Sequence, residues 1–191
     1  MNLKLITAAT TEPVSLIEAK AHLRVTDSNS DTLISSLIKT ARQHCENFTG
    51  RALASQTFEL IMDSFPSVIE LPMPPVTSLI ATDCGIKYKD SDGVETTLAS
   101  TEYIFYDSEP AVIVNAYGKS WPTFIPYPIG AVKVRYVAGY TTNIPEPIKQ
   151  AIMLLVGHLY ENREAINIGN IINEVPFGVT TLLFPYRIWS L

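Results

Sequence analysis

The chain has few charged residues and no cluster of basic ones. Only 17% of its 191 residues are charged, against roughly 25% in typical soluble domains, while 47% are hydrophobic. Its 14 basic residues are scattered among 19 acidic ones, and the formal net charge is −5. Because phosphate binding requires clustered Lys and Arg, this pattern argues against tight sequence-specific binding of nucleic acid. A large protein interface would account for the apolar excess.

Cysteines and long apolar runs are also scarce. Cys45 and Cys84 are the only two cysteines, too few for a disulfide framework, and we expect both thiols to be reduced and buried. The longest apolar run, residues 151–157, is far below the ~20 residues that a bilayer crossing requires. The first residues contain too short an apolar stretch for a secretory signal. We therefore expect a cytoplasmic product without a membrane partner.

No catalytic or nucleotide-binding motif occurs in the sequence. The patterns G-x-S-x-G, G-x-x-x-x-G-K-[ST] and G-x-G-x-x-G are all absent. His158 and Glu161 would share a helix face, but a metal site needs three or four converging ligands. We expect no catalytic residue, no metal, no cofactor and no enzymatic activity. An unrecognised pocket near His158 and Glu161 is the enzymatic alternative.

Two helices are predicted to open the chain. Ser15 and Glu18 form a capping-box pattern, and apolar residues then recur at helical spacing up to about Val25. A second helix is predicted from residues 30–31, with an apolar stripe at a 3.6-residue period. It ends before Gly50, which suits the left-handed position after a helix. Both helices must pack on something central.

From Ser55 onward the pattern changes to short runs rich in Val, Ile, Thr, Tyr and Phe, which is typical of strands. Asp92-Gly93 indicates a hairpin with a type I′ turn. A stiff proline-marked loop begins at Trp121, and this tryptophan is either anchored in the core or offered at an interface. The predicted strands are residues 57–62, 76–82, 85–88, 103–106, 111–114 and 131–137.

The last third of the chain is strongly apolar. A helix is predicted from Pro147, which suits a first helical turn. It is apolar nearly all round, so we expect it to be buried by the first helices and the sheet, or by a neighbouring subunit. Large apolar and aromatic residues then fill 175–191. Because termini are loosely ordered unless docked, this end is expected to pack on a partner or back on its own monomer.

These elements predict an α+β fold. We expect a mainly helical body, formed by two N-terminal helices and a long C-terminal helix, with a central antiparallel β insertion and an extended C-terminal arm. The length fits a single domain over residues 1–191. Within it, we expect N-terminal helices over 1–54, the β insertion over 55–142, the C-terminal helix over 143–167 and the arm over 168–191.

Several segments carry a recognisable pattern in a fixed order. They are residues 13–24 (PVSLIEAKAHLR), 49–53 (TGRAL), 117–122 (YGKSWP), 134–140 (VRYVAGY), 147–152 (PIKQAI), 176–179 (PFGV), 182–183 (LL) and 185–187 (PYR). Together they resemble the head–tail connector family of tailed phages and prophages. The similarity runs almost end to end, and its motifs are structural.

This resemblance implies an adaptor, or head-completion, protein of the virion neck. Such a protein docks under the portal after DNA packaging and forms a ring of about a dozen copies that bridges to stopper or tail proteins. DNA would pass through an acidic lumen without specific binding. The first alternative is another neck component, such as a stopper or tail-completion protein. The second, with less support from the sequence, is an enzyme of the packaging apparatus.

The family's C-terminal arm can engage the portal, which agrees with the apolar character of residues 175–191. We expect the third helix to form part of the subunit contact. The residues expected at the portal or subunit interface are Phe177, Leu183, Phe184, Tyr186, Arg187 and Trp189.

Overall fold

A computed structural model describes residues 1–79, 85–162 and 177–189, with only the backbone of Phe177. The chain divides into two compact units. The β unit contains Met1–Thr10 and Ala54–Tyr140, and the helical unit contains Thr11–Leu53 and Thr141–Leu191. The predicted α+β class is confirmed. The assignment of residues 1–191 to one domain, with its four subdivisions, stays a prediction.

The β unit is built from two antiparallel sheets. The larger sheet has the order β1-β2-β9-β5-β6, with β4 also paired to β9, and the smaller has the order β3-β8-β7. The strands are β1 (Asn2–Thr7), β2 (Gln56–Met62), β3 (Ile69–Leu71), β4 (Val76–Ser78), β5 (Gly85–Lys89), β6 (Glu95–Thr97), β7 (Tyr103–Tyr106), β8 (Ala111–Asn115) and β9 (Val132–Ala138).

Strand β9 supplies the centre of this core. Its alternate side chains, from Val132 to Ala138, are fully buried, and Tyr136 among them lies 6.0 Å from Phe58 between ring centroids. The Tyr136 hydroxyl donates a 2.7 Å hydrogen bond to the Pro72 carbonyl, so this buried polar group is satisfied. The residues between them point to the opposite face of the sheet.

The helical unit contains α1 (Leu16–Leu23), α2 (Asp31–Thr49), α3 (Glu146–Glu161), α4 (Phe177–Leu183) and a short 3-10 helix (Phe184–Tyr186). The capping box at Ser15 and Glu18 is present, with both reciprocal hydrogen bonds. Gly50 ends α2 at a φ of 69°, as predicted. Helix α3 packs on α1, α2 and α4, so its apolar surface is largely buried within this unit.

A buried ionic network joins α2 to its flanking segments. Arg42 Nη1 donates a 2.6 Å hydrogen bond to Glu46 Oε2, and Arg42 Nε donates a 2.7 Å bond to Glu12. Glu46 Oε1 accepts a 2.9 Å bond from the backbone N–H of Leu53. Since removing one member of such a network leaves a buried charge without its partner, it fixes one path for the chain on either side of α2.

The structure corrects three expectations. The chain opens with strand β1 rather than a helix, and β1 pairs antiparallel with β2. The hairpin between β5 and β6 is present, but its turn is not type I′, because Gly93 has a positive φ and Asp92 does not. The C-terminal arm is not extended over residues 177–186, which are helical.

We expect Gly139→Ala to destabilise the β unit strongly. Gly139 has a φ of +113°, and a Cβ there would lie 1.9 Å from the carbonyl oxygen of Ala54. Relief requires backbone movement, so the free energy of unfolding should fall by about 4 kcal/mol or more. Gly118→Ala is the matched control: its φ is +73° with open space around it, and we expect a loss of ~1 kcal/mol. Urea unfolding checks both, and equal losses would contradict the close approach.

Candidate interaction surface

The C-terminal segment, residues 177–189, is docked on its own helical unit. Val179 and Leu183 of α4 are fully buried, and α4 packs on α3 and on α2. Burial of a leucine side chain contributes roughly 2 kcal/mol, so these two residues hold α4 in place. Of the two outcomes predicted for the terminus, packing on its own monomer holds for α4.

Polar contacts fix the residues after α4 against the end of α2. The backbone N–H of Ile188 donates a 2.7 Å hydrogen bond to the Thr49 carbonyl. Arg51 Nε donates a 2.5 Å hydrogen bond to the Tyr186 carbonyl. A Cβ built on Gly50 would lie 3.5 Å from Ile188 Cβ, so the chain passes close to this glycine. The backbone of residues 186–188 is therefore fixed against the C-terminal end of α2.

Above these anchors lies an exposed group that we name the aromatic patch, formed by Phe184, Arg187 and Trp189. The two rings meet edge to face, with centroids 5.7 Å apart and an interplanar angle of 72°. Phe184 is 56% exposed and Trp189 is 59% exposed. The Arg187 guanidinium lies 4.5 Å from the Trp189 ring centroid and 5.5 Å from that of Phe48. A patch of two rings and one stacked cation has the composition of interface hot spots.

The residues predicted for an interface therefore fall into groups. Phe184, Arg187 and Trp189 are exposed and lie together, and Tyr186 is half-buried beside them. Leu183 is buried and supports the patch from below. Phe177 begins α4, and its side chain lies outside the described part of the chain. The structure brings the exposed members together, and their role at an interface stays a prediction.

Three supporting residues were not predicted as part of this site: Phe48, Thr49 and Arg51. A signal for two of them was present, since the segment TGRAL at 49–53 is among those that carry the family resemblance. In the structure, Thr49 and Arg51 form hydrogen bonds with the backbone of the C-terminal segment and so hold it in place. Their pairing spans more than 130 residues, which no local pattern indicates.

The remaining chemical candidates in the described part of the chain are Cys45 and His158. Burial, and then the adjacent Glu46 carboxylate, raise the pKa of the Cys45 thiol to about 12, so this thiol is a weak nucleophile at neutral pH. Near His158, Asn162 Nδ2 donates a 2.9 Å hydrogen bond to the His158 carbonyl. Within residues 1–79, 85–162 and 177–189, no group of three or more His, Cys, Asp or Glu side chains could hold a metal ion. Cys84 lies outside the described residues.

Comparison with known proteins identifies the family. Residues 14–188 match the family described as head completion protein. Since the match spans most of the 191 residues, the chain belongs to the head completion protein family, a class of virion assembly proteins of the head–tail connector type. Comparison with curated proteins gives no significant match.

The fold is similar to chains in gene transfer agent (GTA) particles. A chain of the "Neck of empty GTA particle computed with C6 symmetry" is 25% identical with a TM-score of 0.80. A chain of the "Neck of native GTA particle computed with C12 symmetry" is 26% identical with a TM-score of 0.78. A chain of the "Virion of native gene transfer agent (GTA) particle" is 25% identical with a TM-score of 0.79. In each case the match covers 100% of this chain and 97% of the other.

Among the described residues, none of the helices has the length and apolar character that a membrane span requires.

We expect Leu183→Ala and Phe184→Ala to differ sharply in stability although the residues are neighbours. Leu183→Ala leaves a cavity under α4 and should lower the free energy of unfolding by ~2–5 kcal/mol. Phe184 is 56% exposed, so Phe184→Ala should cost about 1 kcal/mol or less. Denaturant titration followed by circular dichroism checks both. A loss below about 1 kcal/mol for Leu183→Ala would show that α4 does not stabilise the unit.

Proposed function

We propose that this protein is a ring-forming adaptor at the head–tail junction of a phage or phage-like particle. About a dozen copies sit between the portal and the stopper or tail proteins, complete the filled head and retain its DNA. The protein acts as a structural component and needs no cofactor. It is made in the bacterial cytoplasm and resides in the virion neck.

One observation carries this proposal above the others. The whole chain, 100% of its length, shares its fold with 97% of a chain found in necks computed with C6 and C12 symmetry. The match extends over nearly the full length of both chains, so the similarity is not confined to one part of either. The ring and its place at the neck come to this chain from that similarity.

The aromatic patch is the proposed portal contact. Phe184, Arg187 and Trp189 form its surface, and Tyr186 lies half-buried beside them. Leu183 anchors the patch, and Phe177 begins the helix that carries it. The guanidinium stacked between two rings leaves its N–H donors available in a fixed plane, which suits carbonyl or carboxylate acceptors on a partner. Helix α3 joins the subunit contact through its exposed residue Leu154.

The proposed lumen takes DNA without specific binding. The chain has 19 acidic and 14 basic residues, and its net charge of −5 gives an assembled ring a negative surface. Because negative charges on the ring repel the DNA phosphates, packaged DNA would slide through rather than adhere.

We expect the double variant Phe184→Ser/Trp189→Ser to remain folded and to lose binding to the portal protein encoded in the same genome. Both side chains are more than half exposed, so their loss costs little stability, while two hot-spot rings should account for at least a hundredfold in affinity. Biolayer interferometry on immobilised portal rings measures the affinity, and thermal unfolding checks the fold.

The matched control is Ile17→Ser, which removes an exposed apolar side chain from α1 in the same unit and should leave portal binding unchanged. Wild-type affinity in the double variant would contradict the assignment of the patch. Absence of portal binding by the wild-type chain, together with binding to a tail-side protein, would replace the adaptor with a stopper or tail-completion protein.

A further inference from the structure

The loop between β8 and β9 is held rigidly by aromatic contacts. We name residues 121–130 the proline loop, since it contains three prolines. Trp121 stacks on Phe65 with ring centroids 4.8 Å apart and an interplanar angle of 11°. Phe124 packs against Tyr88, with ring centroids 4.9 Å apart. Trp121 is thus a half-buried anchor of the loop within the β unit.

Backbone and charge contacts fix the far side of the same loop. The N–H of Tyr127 donates a 3.1 Å hydrogen bond to the Lys89 carbonyl, and Lys89 Nζ lies 4.0 Å from the Tyr127 ring centroid. The N–H of Gly130 donates a 2.8 Å hydrogen bond to Asp63 Oδ1. These contacts restrain the loop at its ends and in its middle.

This rigid loop presents apolar side chains to solvent. Ile125 is 74% exposed and Ile129 is 80% exposed. Prolines have already removed much of the loop's conformational freedom, so binding through these residues would lose little further entropy. A preformed loop with two projecting isoleucines has the features of a contact element.

The β unit carries a second exposed apolar surface, the outer face of the sheet β3-β8-β7. In the observed register Ile104 lies opposite Val114 and Tyr106 lies opposite Val112, so the four side chains share one face. Ile104 is 49% exposed and Tyr106 is 65% exposed. Antiparallel sheets normally show polar residues on a solvated face. Glu70 of β3 also lies on this face, opposite Val112, so the apolar part of the face is its β7–β8 portion. That portion indicates a contact surface.

We propose that the proline loop of one copy docks on the outer face of the β3-β8-β7 sheet of the next copy. The proposal rests on the ring of the proposed function and names its subunit contact. A cyclic ring requires a heterologous interface, in which two different surfaces of the same chain meet. The β unit supplies two such surfaces, one projecting and one broad, and apolar side chains predominate on each. Ile125 and Ile129 would pack on Ile104 and Tyr106.

A complementation experiment tests this pairing. The loop variant is Ile125→Asp/Ile129→Asp, and the face variant is Ile104→Lys/Tyr106→Lys; all four positions are exposed, so each variant should fold. Native mass spectrometry and sedimentation velocity of the full-length chains measure assembly. We expect wild type to form rings and each variant alone to associate at least about tenfold more weakly. An equimolar mixture should form 1:1 dimers, because it retains one intact loop and one intact face.

The control is Val94→Ser, an exposed apolar residue at the β5–β6 hairpin, which should assemble as wild type does. Rings formed by either variant alone, or a mixture that stays monomeric, would overturn the loop-to-face contact and leave the adaptor standing. A wild-type chain that forms no ring at any concentration or on its portal would overturn both.

A second measurement does not depend on loss of function. With Ile125→p-benzoylphenylalanine in the otherwise wild-type chain, illumination should cross-link position 125 to residues 103–115 of another copy, identified by peptide mass spectrometry. Cross-links confined to other segments would also overturn the proposal.

Discussion

The pairing of strand β9 with three other strands is the interaction on which the β unit depends. β9 pairs with β2, β4 and β5, and its inward side chains are fully buried. The residues at its two ends also fix the positions of the adjoining loops. Gly130, just before β9, is hydrogen-bonded to Asp63 and closes the proline loop, and Gly139, just after it, passes against Ala54. Because hydrogen bonds fix the register, a shift of β9 by one residue would turn its buried side chains outward and displace both loops together.

In the helical unit, the short segment 183–189 is anchored to its own subunit and also exposes aromatic side chains. Leu183 is buried and Phe184 is exposed, although they are adjacent, because consecutive side chains of a helix point about 100° apart. The chain then returns to the end of α2, where Thr49 and Arg51 bind its backbone rather than its side chains. Backbone anchoring leaves the side chains of Arg187 and Trp189 available. The segment can thus be ordered in the free subunit and still offer an aromatic surface to a partner.

The elements with strong local signals were predicted well, and those decided by distant contacts were not. The capping box at Ser15 and the glycine after α2 are local features, and both are present. Strand β1 was missed although Leu3 and Leu5 alternate with Asn2 and Lys4, because it is a short edge strand, mostly exposed, that is fixed by pairing with the distant strand β2. The turn at Asp92-Gly93 was assigned the wrong type because the Asp90 carboxylate accepts the N–H groups of Asp92 and Val94 and shapes a longer loop. At the C-terminal segment the sequence showed an apolar surface, but which residues face inward depends on how α4 packs on α3, a contact between distant parts of the chain.

The proline loop also bears on how fast a neck can be built. Association slows when a partner must first rearrange, since only the fraction of encounters that finds the binding shape is productive. In this loop the Trp121 ring stacks on Phe65 and Gly130 is hydrogen-bonded to Asp63, so the loop is restrained within the subunit before any encounter. In the proposed ring, a subunit contact made through this loop would therefore form at a rate set by collision and orientation rather than by rearrangement of the loop.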